Sequence, residues 1–191
     1  VVTQIVQGMG GIGKTQLAVE YAYRYRDEYP GGVFWVNAAE PLPEGLAALG
    51  CYLQSGLEDQ SLDRQIRAAA GYLSQHPDSL LVLDNLADPA ALNRPLGGDL
   101  VPAALPCRIL FTTRTRELGR CTPVEITVLP RDAALRLLLR HPARRAIQEP
   151  DHPQHEDAQA ICATLGDLPL ALEVAGAHLG RRPAAPLAAY R

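Results

Sequence analysis

Lysine and arginine together number 18 in this chain of 191 residues, and Lys14 is the only lysine among them. It stands in Gly8-Met9-Gly10-Gly11-Ile12-Gly13-Lys14-Thr15, which fits G-x-x-x-x-G-K-[ST]. Glycines at this spacing let the backbone turn tightly enough to aim several N–H groups at one phosphate, and a helix starting at the end of the loop adds positive potential. A compact ammonium at position 14 reaches the β- and γ-phosphates of a nucleotide, and the Thr15 hydroxyl can ligate Mg²⁺. The candidate nucleotide contacts are Gly8, Gly10, Gly11, Ile12, Gly13, Lys14, Thr15 and Gln16. A glycine-rich turn with an accidental match is the competing reading, and the lone lysine weighs against it.

A phosphate cradle needs an acid for its metal. Leu80-Leu81-Val82-Leu83-Asp84 is an apolar strand pattern that delivers one carboxylate at its C-terminal end, so Asp84 is the expected Mg²⁺ acid, with a solvated turn aspartate as the alternative. Asn85 follows where a second acid would serve as a base for water; Asp88 is the nearby substitute, and a weaker one. Cys107-Arg108-Ile109-Leu110-Phe111-Thr112-Thr113-Arg114 reads as a further strand ending in polar residues. If that strand neighbours the phosphate-loop strand, Arg114 points at a γ-phosphate; otherwise it is a surface ion-pairing arginine. Lys14, Asp84 and Arg114 are thus the candidate catalytic residues, and Thr15 and Asp84 the candidate metal ligands.

These residues require an α/β scaffold. Thr3–Gln7 is a short β-prone run that stops at the glycines, and from Lys14 the positions Leu17, Ala18, Tyr21, Ala22 and Tyr25 recur at helical spacing. Val33–Asn37 is a continuous apolar run, expected as a strand covered on both faces. Helices are expected at about 44–54 and 61–75, the latter opening with Ser61 as N-cap, and strands at Ser79–Asp84, Cys107–Thr113 and Val124–Leu129. Five strands interleaved with helices imply a mostly parallel sheet. After Pro130 the patterns at 131–140, 155–165 and 168–179 are all helical, joined by a loop at 141–153, and Pro183–Arg191 begins a further element. The expected division is 1–130 for the nucleotide-binding domain and 131–191 for a small helical subdomain.

Composition narrows the class. Hydrophobic residues make up 47%, charged residues 20%, and the formal net charge is −3, which fits a globular chain and gives no support to a nucleic-acid partner. The absence of an apolar run of about 20 residues or of a signal-peptide start points to a cytoplasmic protein with no membrane partner. Cys51, Cys107, Cys121 and Cys162 are too dispersed for a zinc knot and read as reduced, mostly core thiols. His152 and His155 have loose metal-like spacing but lie in a proline-broken loop without a clear further ligand. Met9 and Ile12 read as hydrophobic pegs of the loop, Trp35 as core, and Arg144 and Arg145 as a solvated face.

The series GMGGIGKT, VFWVNA, LLVLDN, CRILFTTR and Gly166-Asp167-Leu168-Pro169-Leu170-Ala171-Leu172 resembles the NB-ARC family of STAND P-loop NTPases, in particular bacterial members carrying tetratricopeptide repeats. The resemblance spans most of the chain. It implies a sheet order 5-1-4-3-2, Asp84 as the Mg²⁺ acid, Arg114 as a sensor of the γ-phosphate, and Pro169 packed near the adenine of ADP. It also implies further domains of a longer chain, a winged helix and helical repeats, and self-association governed by the nucleotide. Against the family pattern the chain begins a few residues before the phosphate loop and stops short of the winged helix, whose histidine holds the ADP phosphate in the resting state. It reads as a switch cut from a longer protein.

The expected function is an ADP/ATP switch with Mg²⁺ and slow or absent hydrolysis. A P-loop phosphotransferase or active ATPase is the alternative, for which the GDLPLAL segment has no role. A GTPase is disfavoured because no lysine remains for the usual guanine reader.

Overall fold

A computed structural model describes residues 3–96, 100–115 and 123–190. The chain forms two compact units, Val1–Gly8 with Lys14–Ile126, and Met9–Gly13 with Thr127–Arg191.

The first unit is built on five parallel strands, β1 (Thr3–Gln7), β2 (Val33–Asn37), β3 (Leu80–Asp84), β4 (Arg108–Thr113) and β5 (Pro123–Glu125), in the order β2-β3-β4-β1-β5. This is the order the resemblance implies. Successive side chains alternate between the faces of a strand, and the apolar runs supply both. Ile5, Leu81, Leu83, Ile109 and Phe111 pack with helices α2 (Leu42–Leu53) and α3 (Leu62–Gln75). Val6, Leu80, Val82 and Leu110 pack on the other face with Ala18 and Ala22 of α1 (Lys14–Arg24). Both layers hold the C-terminal ends of β1, β3 and β4 side by side, with Gln7 opposite Thr113.

Three expectations are corrected here. β2 is an edge strand, and Trp35 is 40% exposed instead of core, because α1 buries only two alanines on that side of the sheet. An apolar run alone does not say whether a strand is central or marginal. The last strand stops at Glu125, shorter than the run to Leu129. Ser61 does occupy the N-cap of α3, without a side-chain hydrogen bond. Cys107 is buried, Cys51 half-buried, and Cys121 lies outside the described residues.

In the second unit, α4 (Arg131–Leu138), α5 (His155–Thr164) and α6 (Pro169–Gly180) enclose Leu135, Leu138, Ile161, Cys162, Leu172 and Leu179. The expected loop at 141–153 contains a 3₁₀ helix, Pro142–Gln148. Within it Arg144 is 1% exposed, which overturns the solvated-face reading. Its guanidinium donates to the carbonyls of Leu179 (3.3 Å), Arg182 (2.7 Å) and Ala185 (2.8 Å), tying the end of α6 to the turn beyond it. Arg145 stays exposed. His155 is also buried, its Nδ1 3.0 Å from the carbonyl of Ile147. The last 3₁₀ turn, Leu187–Tyr190, buries Leu187 completely. Among the described residues no helix is long and apolar enough to cross a membrane.

Candidate functional site

The glycine segment leaves β1 at Gly8 and enters α1 at Lys14. Gly11 and Gly13 have φ of +77° and +99°, backbone conformations that side chains with a Cβ rarely adopt. Gly11 has a second constraint inside its own unit: a Cβ there would lie 3.1 Å from Leu170 Cβ, and the Leu170 N–H donates to the Gly11 carbonyl at 3.1 Å. Pro169 is the first residue of α6, just before that contact, where its missing N–H costs no helical bond. Ile12 is buried as a peg, whereas Met9 is 62% exposed and is not one. Gly10, Thr15 and Gln16 are exposed and Gly8 half-buried, and the first N–H groups of α1 have no acceptor within the helix.

Lys14 is 7% exposed, and its Nζ donates to the Gly8 carbonyl at 2.7 Å, closing the loop on itself. Burial lowers its pKa from 10.5, the Arg114 guanidinium lowers it further, and the Asp84 carboxylate opposes both. Two cations and one carboxylate therefore share a single field at this end of the sheet.

Asp84 ends β3 and receives the Thr15 hydroxyl, 2.9 Å from Oδ1 and 3.1 Å from Oδ2. These are hard oxygen donors, a hydroxyl from the helix start and a carboxylate from the strand end, and together they suit a small divalent cation. The Thr112 hydroxyl donates to Asp84 Oδ1 at 2.6 Å. Asn85 adopts φ +62° and, with Ala39, Thr113 and Arg114, lines a recess of about 340 Å³. Asp88 caps the 3₁₀ helix Pro89–Asn93 through the Ala90 N–H and pairs with Arg94.

Arg114 follows β4, which lies next to β1 as its candidate role requires. The loop carrying it is held from two sides. Gln7 Nε2 donates to the Thr115 carbonyl (3.0 Å), and the Thr113 hydroxyl donates to the Leu86 carbonyl (2.7 Å). Sequence reasoning missed Gln7, Thr112 and Thr113. Two threonines following the apolar run Ile109-Leu110-Phe111 were the available signal, since a buried hydroxyl must find a partner.

The NB-ARC domain model matches residues 2–147. The regulatory protein AfsR of Streptomyces griseus is 31% identical over 93% of this chain and 18% of its own length. AfsR of Streptomyces coelicolor is 30% identical over 92% and 18%. A nucleotide-binding leucine-rich repeat (NLR)-like protein of Hyaloscypha variabilis is 27% identical over 92% and 19%. The chain thus spans less than a fifth of the length of these curated relatives. Among solved structures, a Walker-type ATPase of Pyrococcus abyssi shares the fold with a TM-score of 0.55 at 14% identity, over 94% of this chain and 63% of that one.

Proposed function

Because this chain belongs to the NB-ARC family, we propose that it is the adenine-nucleotide-binding switch module of a longer signal-transduction ATPase. The observation that carries this reading is the convergence of Lys14, Thr15, Asp84 and Arg114 at the C-terminal edge of one parallel sheet, the place where open α/β sheets bind ligands. Lys14 and the first-turn N–H groups of α1 bind the phosphates. Thr15 and Asp84 hold Mg²⁺, which when bound offsets the negative charge of the β- and γ-phosphates. Arg114 distinguishes ATP from ADP by its charge, and Pro169 is assigned to the adenine on the family resemblance. We place the boundary between the nucleotide-binding and helical parts at 130/131.

A switch works through differential affinity. Turning an equilibrium from 1:99 to 99:1 takes about 5.5 kcal/mol of difference between the two states' affinities. Arg114 is the residue here whose contact depends on the γ-phosphate. The names of the relatives, a regulatory protein and an NLR-like protein, support a signalling role, and their greater length supports further domains that read the nucleotide state, including a winged helix and helical repeats. Self-association follows the nucleotide state, and the cytoplasm is the assigned compartment.

Calorimetry with ADP and ATP in Mg²⁺ tests the reading. Lys14→Ala and Lys14→Arg weaken both nucleotides by roughly 10- to 100-fold, the scale of a charge-assisted hydrogen bond, since a guanidinium projects its charge differently from an ammonium. Arg114→Ala weakens ATP more than ADP. Unchanged affinity in both Lys14 variants removes the phosphate-cradle assignment, and equal losses in Arg114→Ala remove the sensor.

A further inference from the structure

We infer that Thr112 is a positioning residue for the divalent-cation site, holding the Asp84 carboxylate in place from the neighbouring strand. The inference rests on the nucleotide reading above and concerns a residue that touches neither nucleotide nor metal.

Thr112 is 1% exposed and sits at the end of β4, beside β3. Its single hydroxyl makes two bonds, donating to Asp84 Oδ1 at 2.6 Å and accepting the Asn85 N–H at 2.8 Å. The first is in the short range of hydroxyl-to-carboxylate bonds, which are the stronger ones. The second satisfies the backbone N–H of the first residue after β3, a donor that would otherwise need another partner. The Thr112 carbonyl takes the next donor, the Leu86 N–H, at 2.8 Å. One residue therefore fixes the carboxylate of Asp84 and the main chain of both residues after it.

The arrangement leaves the carboxylate usable. Its two oxygens offer about four lone-pair sites, and Thr112 occupies one of them. Thr15, which shares its single proton between the two oxygens, is the partner that a cation would replace. Groups that orient a metal ligand typically matter by 10- to 100-fold in metal affinity. Because Arg114 comes two residues after Thr112, just past the end of β4, the seat that orients the metal acid is continuous with the loop that carries this guanidinium.

The test is the magnesium dependence of ADP affinity, taken as the ratio of Kd in EDTA to Kd in excess Mg²⁺. Thr112→Val keeps the shape and removes the hydroxyl; the ratio is expected to fall about tenfold relative to the wild type, with Kd in EDTA changed less than about twofold. Thr112→Ser restores the ratio. In an Asp84→Asn background, Thr112→Val has no further effect on it. If Thr112→Val does not fold, Thr112→Ser compared with Thr112→Ala carries the same comparison. An unchanged ratio in the variants without the hydroxyl overturns the inference, as does an equal loss of affinity with and without Mg²⁺, the mark of a merely structural residue. Wild type that binds no ADP overturns the nucleotide reading and this inference with it.

Discussion

At the scale of single residues the chemistry is electrostatic, and Lys14 makes it measurable. Its pKa is pulled below 10.5 first by burial and then by Arg114, against the opposing pull of Asp84. A bound phosphate favours the charged form, so the bound-state pKa lies above the free-state one. Below the free-state value Lys14 is protonated in both states, and affinity is level with pH. Above it, binding takes up a proton, and affinity falls by up to about tenfold per pH unit. The alkaline limb of ADP affinity is therefore expected to begin below pH 10.5 in the wild type and to be absent from Lys14→Ala, with titrations from pH 7 to 10 as the check. The candidates Lys14, Thr15 and Asp84, which the fold brings together, could be picked out of the sequence because each sits in a local pattern, the glycine loop or the end of an apolar run. Arg144 was not: a buried guanidinium bonded to three carbonyls has no local signature, since those carbonyls lie 35 to 41 residues further along the chain. Thr112 was hidden for the same reason, its partner Asp84 being 28 residues away on another strand.

At the scale of elements, the strands were legible wherever a buried run ended at a turn signal, and the helices wherever an apolar stripe recurred. The exceptions are elements whose identity depends on their neighbours. β2 has the same apolar pattern as β3 but lies at the sheet edge, and β5 is three residues long beside β1. A close helix approach was likewise invisible in the hydrophobic pattern. At Gly50 in α2 a Cβ would fall 1.9 Å from the Gln65 carbonyl oxygen of α3, so the two backbones meet there. Gly71, in the body of α3, would place a Cβ against nothing within 4 Å. Opposite outcomes follow for the same substitution. Gly50→Ala must push the helices apart and is expected to cost about 1–3 kcal/mol, whereas Gly71→Ala is expected to gain roughly 0.5–1 kcal/mol by restricting the unfolded chain. Urea unfolding of the two variants beside the wild type measures both signs at once.

At the scale of the whole molecule, the proposed role sets a demand on rate: a nucleotide-bound state must outlast the signal it transmits. Hydrolysis requires a water aligned on the γ-phosphate and a group that takes its proton. Asn85 stands where a second acid would act, and an amide can orient water but cannot accept that proton. Asp84 is assigned to the cation, and Asp88 is engaged as a helix cap and as the partner of Arg94. Asn85 also holds φ +62°, a conformation that Asp tolerates about as well as Asn, so exchanging them changes the chemistry with little disturbance of the backbone. Single-turnover ATP hydrolysis by the wild type is accordingly expected to be far slower than the ~10 s⁻¹ typical of enzymes. Asn85→Asp is expected to raise the rate, a plain gain that neither misfolding nor loss of binding can mimic. Turnover of several per second in the wild type would reverse the assignment, making the chain an active ATPase in which a residue elsewhere supplies the base that position 85 lacks.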